Sequence, residues 1–467
     1  MKITDMHILL PELFLLGITA LLLVIGLFSG RKQSNIAYGC TQSALIISFI
    51  FLLGKMHTPT LYALHNMFTL TPVTVLAQLM TLLCAFFSLA YAKKFFTENT
   101  ALTYDYCLLF LFSTLGMLCL ISSNHLMPLY LSLELLSLPL FALVAIQQTG
   151  TAAEAAMKYF ALSALASALL LYGFSLRYGA TGNLWLTLAN TTHPSMIVAA
   201  SIFIIASLAF KFGAAPFHFW TPDVYQGAPV AVVNFLGNVP KIAALIILIR
   251  LFGETLKDVM PHWQIVWIFI AIASMLLGNI AAIMQTNFCR MLAYSAIAHM
   301  GYLLLGFISG SALGFSASLF YVFAYALMTL AAFGAVIVLS NQGFAIENLD
   351  DLRGLNNRNP WLAFMLLIVM FSMAGIPPSI GFFAKMNVLQ ALIDVQLSWL
   401  AVIALISALI GAYYYIRIVK IMYFEPVSDA APIYTSWFGK AVLSVNGLFI
   451  LLLGIFPSAL IELCRVF

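Results

Sequence analysis

Four lysines stand inside apolar stretches of this chain, Lys158, Lys211, Lys241 and Lys385, and one glutamate, Glu134, lies at the centre of LYLSLELLSLPLFAL. A charged side chain in hydrocarbon costs roughly 2.5–3.5 kcal/mol on insertion scales, so such residues point first to ion or proton pathways. Desolvation raises the pKa of a carboxylic acid and lowers that of an amine, while a Glu–Lys contact opposes each shift. Making and breaking such a pair therefore changes proton affinity. Glu134 with Lys211 suits that chemistry. Lys241, His299 and Lys385 extend it into a line, and His218, between Phe217 and Phe219, adds an imidazole that titrates near neutral pH.

Each of these residues also has a plainer reading. For Glu134 and Lys211 it is a fixed ion pair that sets helix register. His299 fits a satisfied core histidine, and His218 fits aromatic packing. Lys158 stands at i,i+4 from Glu154, the spacing of an ordinary helix-surface pair, with its stem along the apolar face and its ammonium toward the interface.

Holding ionisable groups at such depth needs helices that break where the groups sit. FKFGAAPFHFWTPDVYQGAPVAVVNFLGNVPK carries Gly213, Pro216 and Pro240 around Lys211 and Lys241, and the later GIPP carries Gly375, Pro377 and Pro378 ahead of Lys385. Broken helices are tolerated at membrane depth only inside protein or beside a wet cavity, where the freed backbone groups meet ions and water. Gly213/Pro216 and Gly375/Pro378 share the form G-x-x-P and lie 375 − 213 = 162 residues apart. Adding that offset to Glu134 gives 296, within a helical turn of His299. The five spans of 104–255 are thus expected to repeat, inverted in the membrane, as the five of 260–424, with three peripheral spans in 1–103 and a loop and final span in 425–467.

Composition sets the class. Of 467 residues, 63% are hydrophobic and 8% charged, and the mean hydropathy is +1.04, which excludes a soluble globular domain. The chain is expected to be an all-α polytopic membrane protein in the lipid bilayer, with about fourteen spans of ~20 residues. The seventh span (196–226) and the twelfth (361–395) are overlong and split. Of the 16 Lys and Arg residues that flank spans, six lie on one side and ten on the other, which puts the amino terminus, and with an even number of spans the carboxyl terminus, outside the cytoplasm. The first apolar run, Ile8 to Phe28, bracketed by Asp5 and Glu12, is expected to be an uncleaved span. The net charge of +4 is spread thinly, which argues against nucleic acid as a partner. The six cysteines make no metal-ligand spacing, so no metal, haem or cluster is expected on this chain. No phosphate-binding glycine motif occurs either.

KFGAAPFHFWTPDVYQGAP, RMLAYSAIAHMGY and GIPPSIGFFAKMNVLQAL, in that order, resemble the antiporter-like, proton-conducting subunits of respiratory complex I over nearly the whole chain. The resemblance implies a Glu on the fifth span paired with a Lys on the broken seventh, a Lys on the eighth leading to the centre, and a Lys on the broken twelfth opening to the exit. Those positions are Glu134, Lys211, Lys241 and Lys385. Lysine at the last position, and a chain that stops after the fourteenth span, set it apart from members that carry glutamate there or add a lateral helix. The resemblance further implies NADH, FMN, iron–sulfur clusters and quinone on other subunits, a neighbouring antiporter-like subunit as partner, and a bacterial inner (plasma) membrane. Multisubunit cation/proton antiporters and membrane-bound hydrogenases share the motifs and are the alternative class, and an inert membrane scaffold is a third.

Overall fold

The computed structural model describes residues 3–29, 34–56, 58–186, 193–340, 346–427 and 435–466. Lys2, Arg31 and Lys32, which contribute to the charge bias, lie outside the described residues. Thirteen helices among the described residues are long and apolar enough to cross a membrane. The remaining expected span is the split one near 361–395, whose halves, Pro360–Ala374 and Ile380–Asp394, each have 15 residues. The chain is thus a multi-pass membrane protein.

Helix starts follow local chemistry. Thr71 caps Pro72–Glu98, its Oγ1 accepting from Thr74 N at 3.2 Å, and Asn287 caps Phe288–Ile308 through Arg290 N at 2.9 Å. Asn359 caps Pro360–Ala374 through Leu362 N at 3.3 Å, with proline in the first position, where a missing N–H costs nothing. Within the spans, hydroxyls such as Thr81, Thr114 and Ser137 donate to the carbonyl four residues back. No water is available there to satisfy them otherwise.

The chain forms two compact units. The first comprises Met1–Leu208 and Val239–Trp263. Its fourth and fifth spans, Thr103–Ser122 and Leu126–Val144, approach so closely that a Cβ on Gly116 would lie 2.5 Å from Leu136 N. One turn before Pro139, which lies inside the fifth span, Ser113 Oγ donates to Leu136 O at 3.0 Å. At one end of these spans a hairpin, Leu61–Ala63 with Phe68–Leu70, bridges to Ser123, and His125 bridges to Trp185. Arg250 secures this cover by donating to Ser123 O and, at 2.7 Å, to Asn124 Oδ1. Arg177 does likewise to Asn183 O and Trp185 O at 3.0 and 2.7 Å.

The second unit comprises Ala209–Asn238 and Gln264–Phe467. Its centre is the pair Phe288–Ile308 and Ala312–Leu339, both buried along nearly all their length. By contrast, Ser398–Phe424 shows an apolar stripe of Val402, Leu405, Leu409 and Tyr413 at helical spacing, the pattern of a helix facing lipid or a membrane partner.

Candidate proton-transfer site

In the second unit, the break of the twelfth span shows why an intramembrane lysine is held there. Pro360–Ala374 ends at Gly375 in the left-handed region, φ +85°. The last carbonyls of a helix lack internal partners and carry a partial negative charge. Lys385, on the second half-helix, folds back and donates from Nζ to Ala374 O at 2.8 Å and Met373 O at 3.2 Å. The positive φ favours glycine at 375, and a Cβ there would also come within 2.9 Å of Cδ on the flexible Lys385 stem. The ammonium also stands 5.2 Å from the centroid of the Tyr302 ring.

His299, on the tenth span, is 2% exposed and held from both sides. Nδ1 lies 2.7 Å from Tyr321 Oη and Nε2 lies 3.1 Å from Tyr415 Oη. A neutral imidazole has one donor and one acceptor nitrogen, so one tyrosine accepts while the other donates, and exchanging the tautomer reverses both roles. Tyr415 Oη is bonded in turn to Ser295 Oγ. The Tyr325 ring stands 5.5 Å and the Tyr302 ring 6.3 Å from the imidazole. Tyr325 Oη donates to Gly237 O at 3.2 Å, a backbone group released where the eighth span is interrupted. Ser295, Tyr415, His299 and Tyr321 thus form one hydrogen-bonded row through an apolar core, and the Tyr302 ring contacts both His299 and the Lys385 ammonium. Sequence reasoning found Lys385 and His299 but missed the tyrosines, which read as core aromatics. The available signal was that each buried tyrosine hydroxyl needs a partner.

The break of the seventh span lies in the same unit. Lys211 occupies the last turn of Pro194–Phe212, and Gly213 follows at φ +68°. A Cβ on Gly213 would stand 2.5 Å from Thr221 Oγ1. Freed backbone groups find side chains: Trp220 Nε1 donates to Phe210 O at 3.0 Å, and Ala215 N donates to Ser274 Oγ at 2.8 Å. Both breaks contain a cis prolyl bond, Ala215–Pro216 and Pro377–Pro378. His218 stacks on Phe219 at 4.8 Å and is half-buried. The short helix Trp220–Gly227 that follows is anchored by Arg290, which reaches Asp223 at 2.9 Å and Gln226 at 3.0 Å.

The first unit holds the other candidates. Glu134 is half-buried, and its Oε1 accepts from Ser167 Oγ at 2.5 Å. Lys158 pairs with Glu154 at 2.8 Å on an exposed face. Lys241 is 2% exposed and packs, with its helix Val239–Leu248, against the third and fourth spans. The interruption of the eighth span falls at Gly237–Asn238, between Val230–Leu236 and Val239–Leu248. Pro240, expected as the break, occupies the second position of the resumed helix, where its missing N–H is harmless. Glu134 belongs to the first unit and Lys211 to the second.

Among the described residues, no group of three or more His, Cys, Asp or Glu side chains is placed to hold a metal ion. The family model described as "NADH:quinone oxidoreductase/Mrp antiporter, TM" matches residues 123–411, which include Glu134, Lys158, Lys211, His218, Lys241, His299 and Lys385. NADH-quinone oxidoreductase subunit N of Nitrosomonas europaea is 45% identical over 460 residues, 97% of this chain and 96% of that protein. A chain of respiratory complex I from Thermus thermophilus superposes with a TM-score of 0.84 at 31% identity, covering 97% of this chain and 98% of the other. A chain of the Mrp complex from Dietzia shares the fold, with a TM-score of 0.87 at 20% identity, over 100% and 97% of the two chains. This chain belongs to the NADH:quinone oxidoreductase/Mrp antiporter transmembrane family.

Proposed function

We propose that this chain is a proton-translocating membrane subunit of an NADH-quinone oxidoreductase, and that protons cross it through Glu134, Lys211, Lys241, His299 and Lys385. Its partners are the other membrane subunits of that enzyme, including a neighbouring antiporter-like subunit, and the redox cofactors reside on other subunits. The observation that carries the reading is the row around His299: a buried imidazole hydrogen-bonded at both nitrogens, with the Tyr302 ring between it and an ammonium seated on a broken helix. An inert scaffold has no use for a buried imidazole hydrogen-bonded at both nitrogens in the same unit as an intramembrane ammonium. Likeness to subunit N over almost the full length favours the oxidoreductase over a cation/proton antiporter, to which the fold alone is common.

In this reading the two halves, 104–255 and 260–424, are inverted copies, and Gly213 and Gly375 are their equivalent turn residues. Protons reach Lys241 from the Glu134/Lys211 pair and leave past Lys385, while Lys158 and His218 are auxiliary. The protein lies in the bacterial inner membrane with both termini periplasmic. Labelling of Asn348→Cys from the cytoplasmic side checks the orientation, and labelling from outside would reverse it.

The decisive experiment is the double substitution Glu134→Gln with Lys211→Met. A pair that only holds helices together is replaceable by neutral groups, so the double variant would then assemble and pump normally. A proton path loses both titratable groups there. The expected result is an assembled complex with defective NADH-driven proton pumping, and full pumping would refute the path.

A further inference from the structure

Glu12 reads in the sequence only as a marker at the start of the first span, yet the structure buries it to 5% exposure in the first turn of Leu10–Ser29. Oε1 accepts from Gln78 Nε2 of the third span at 2.7 Å and lies 3.5 Å from Ser122 Oγ of the fourth. Both partners are fixed by a shared carbonyl: Gln78 donates to Leu118 O at 3.1 Å and Ser122 donates to it at 3.0 Å. Oε2 has no hydrogen-bonding side-chain partner among the described residues, and the Glu12 backbone N–H also acts on the carboxyl. The charged group acting on the site is Lys55, which follows the second span and donates to His7 O at 2.5 Å and Ile8 O at 2.9 Å. Burial pushes the Lys55 amine below its ordinary value, and the Glu12 carboxylate opposes that shift. The Cys119 thiol is the other titratable group close by.

The forces on this carboxyl are opposed. Burial and the unpartnered oxygen favour the neutral acid. The Glu12 backbone N–H, the Gln78 donor, the first-turn position in its helix and the Lys55 charge favour the anion. A group balanced in this way holds a proton that can leave and return. We propose that Glu12 and Lys55 form a proton-exchange site in the first unit, separate from the lysine and histidine row and built where the first, third and fourth spans meet. The proton is taken from and returned to solvent on the side of the Lys55 loop, and the Lys55 ammonium compensates the carboxylate when the proton is gone. Gln78 and Ser122 are positioning residues.

Infrared spectroscopy of the assembled complex in membranes, recorded as a function of pH, tests this without NADH turnover and so independently of the function proposed above. The expected result is a carbonyl stretch of a protonated carboxylic acid that is lost in Glu12→Gln and disappears on alkalinisation. In Lys55→Met the midpoint should move up, with ionisation at least about tenfold weaker, one pH unit. Glu12→Gln keeps the acceptor that Gln78 needs, so assembly is expected. If it fails, Glu12→Asp, which shifts the band without abolishing it, makes the same assignment. A band absent at every pH, meaning a fixed carboxylate, overturns the proposal. So does a band that persists through the alkaline range, meaning a fixed neutral acceptor, or a midpoint indifferent to Lys55→Met.

Discussion

The breaks of the seventh and twelfth spans use the same turn and deliver their lysines by different routes. In both, a glycine at positive φ ends the first half-helix, at +68° for Gly213 and +85° for Gly375. Lys211 precedes its glycine and belongs to the last turn of the helix that ends there. Lys385 follows its glycine and returns from the second half-helix to Met373 O and Ala374 O. The offset of 162 that aligns the glycines aligns Lys211 with Met373 and Lys385 with Asp223 (211 + 162 = 373 and 385 − 162 = 223). The lysines are therefore not equivalent positions. What the two breaks share is a cation at the negative end of an interrupted helix, an arrangement worth ~0.3–2 kcal/mol to the charged state. The lesson is that such a site constrains where the charge sits more tightly than which residue supplies it.

The sharpest test of that comparison is Lys385→Met. It removes the donor to two carbonyls and the ammonium beside the Tyr302 ring, so proton uptake into inverted vesicles by the assembled complex should fall about tenfold or more. Lys385→Arg should recover part of it. Equal pumping by Lys385→Met would mean that the lysine only caps a helix.

The two glycines should separate stability from function. Alanine at either position pays ~1–2 kcal/mol for the left-handed backbone. Gly213→Ala also drives its Cβ against Thr221 Oγ1 on a short, stiff side chain, whereas Gly375→Ala meets the flexible stem of Lys385. Thermal unfolding of the complex should show the larger loss for Gly213→Ala, and pumping per assembled complex should show it for Gly375→Ala. The reverse order would end the distinction drawn here.

Smaller effects are expected from the partners of the row. Tyr321→Phe removes one hydrogen bond to His299, about 1 kcal/mol, and should lower pumping severalfold while leaving assembly intact. A value equal to wild type would place Tyr321 outside the path. Lys158→Met breaks an exposed i,i+4 pair worth at most ~0.5 kcal/mol. It should change neither thermal stability nor pumping measurably, and a large pumping defect would restore Lys158 to the main path.

Much of this was legible in the chain itself. Apolar runs of membrane-spanning length set the helices, because in hydrocarbon a backbone must satisfy its own hydrogen bonds. Glycine and proline set the two main breaks, because only glycine adopts the required φ without strain. Ionisable residues against an apolar background marked Glu134, Lys211, Lys241, His299 and Lys385. Local spacing also predicted the Glu154–Lys158 pair, found at 2.8 Å.

What only the tertiary structure decided depends on how helices are rotated against one another. His299 meets Tyr415 across 116 residues of sequence, and Glu12 meets Gln78 across 66. Neither contact follows from hydropathy, since a tyrosine or glutamine in an apolar run looks the same whichever way it faces. The eighth span is interrupted at Gly237–Asn238 rather than at Pro240, because proline fits the first turn of a helix and the break belongs where a backbone carbonyl can be offered to Tyr325. Sequence fixes what each residue can do chemically; packing between distant helices decides which residue it does it with.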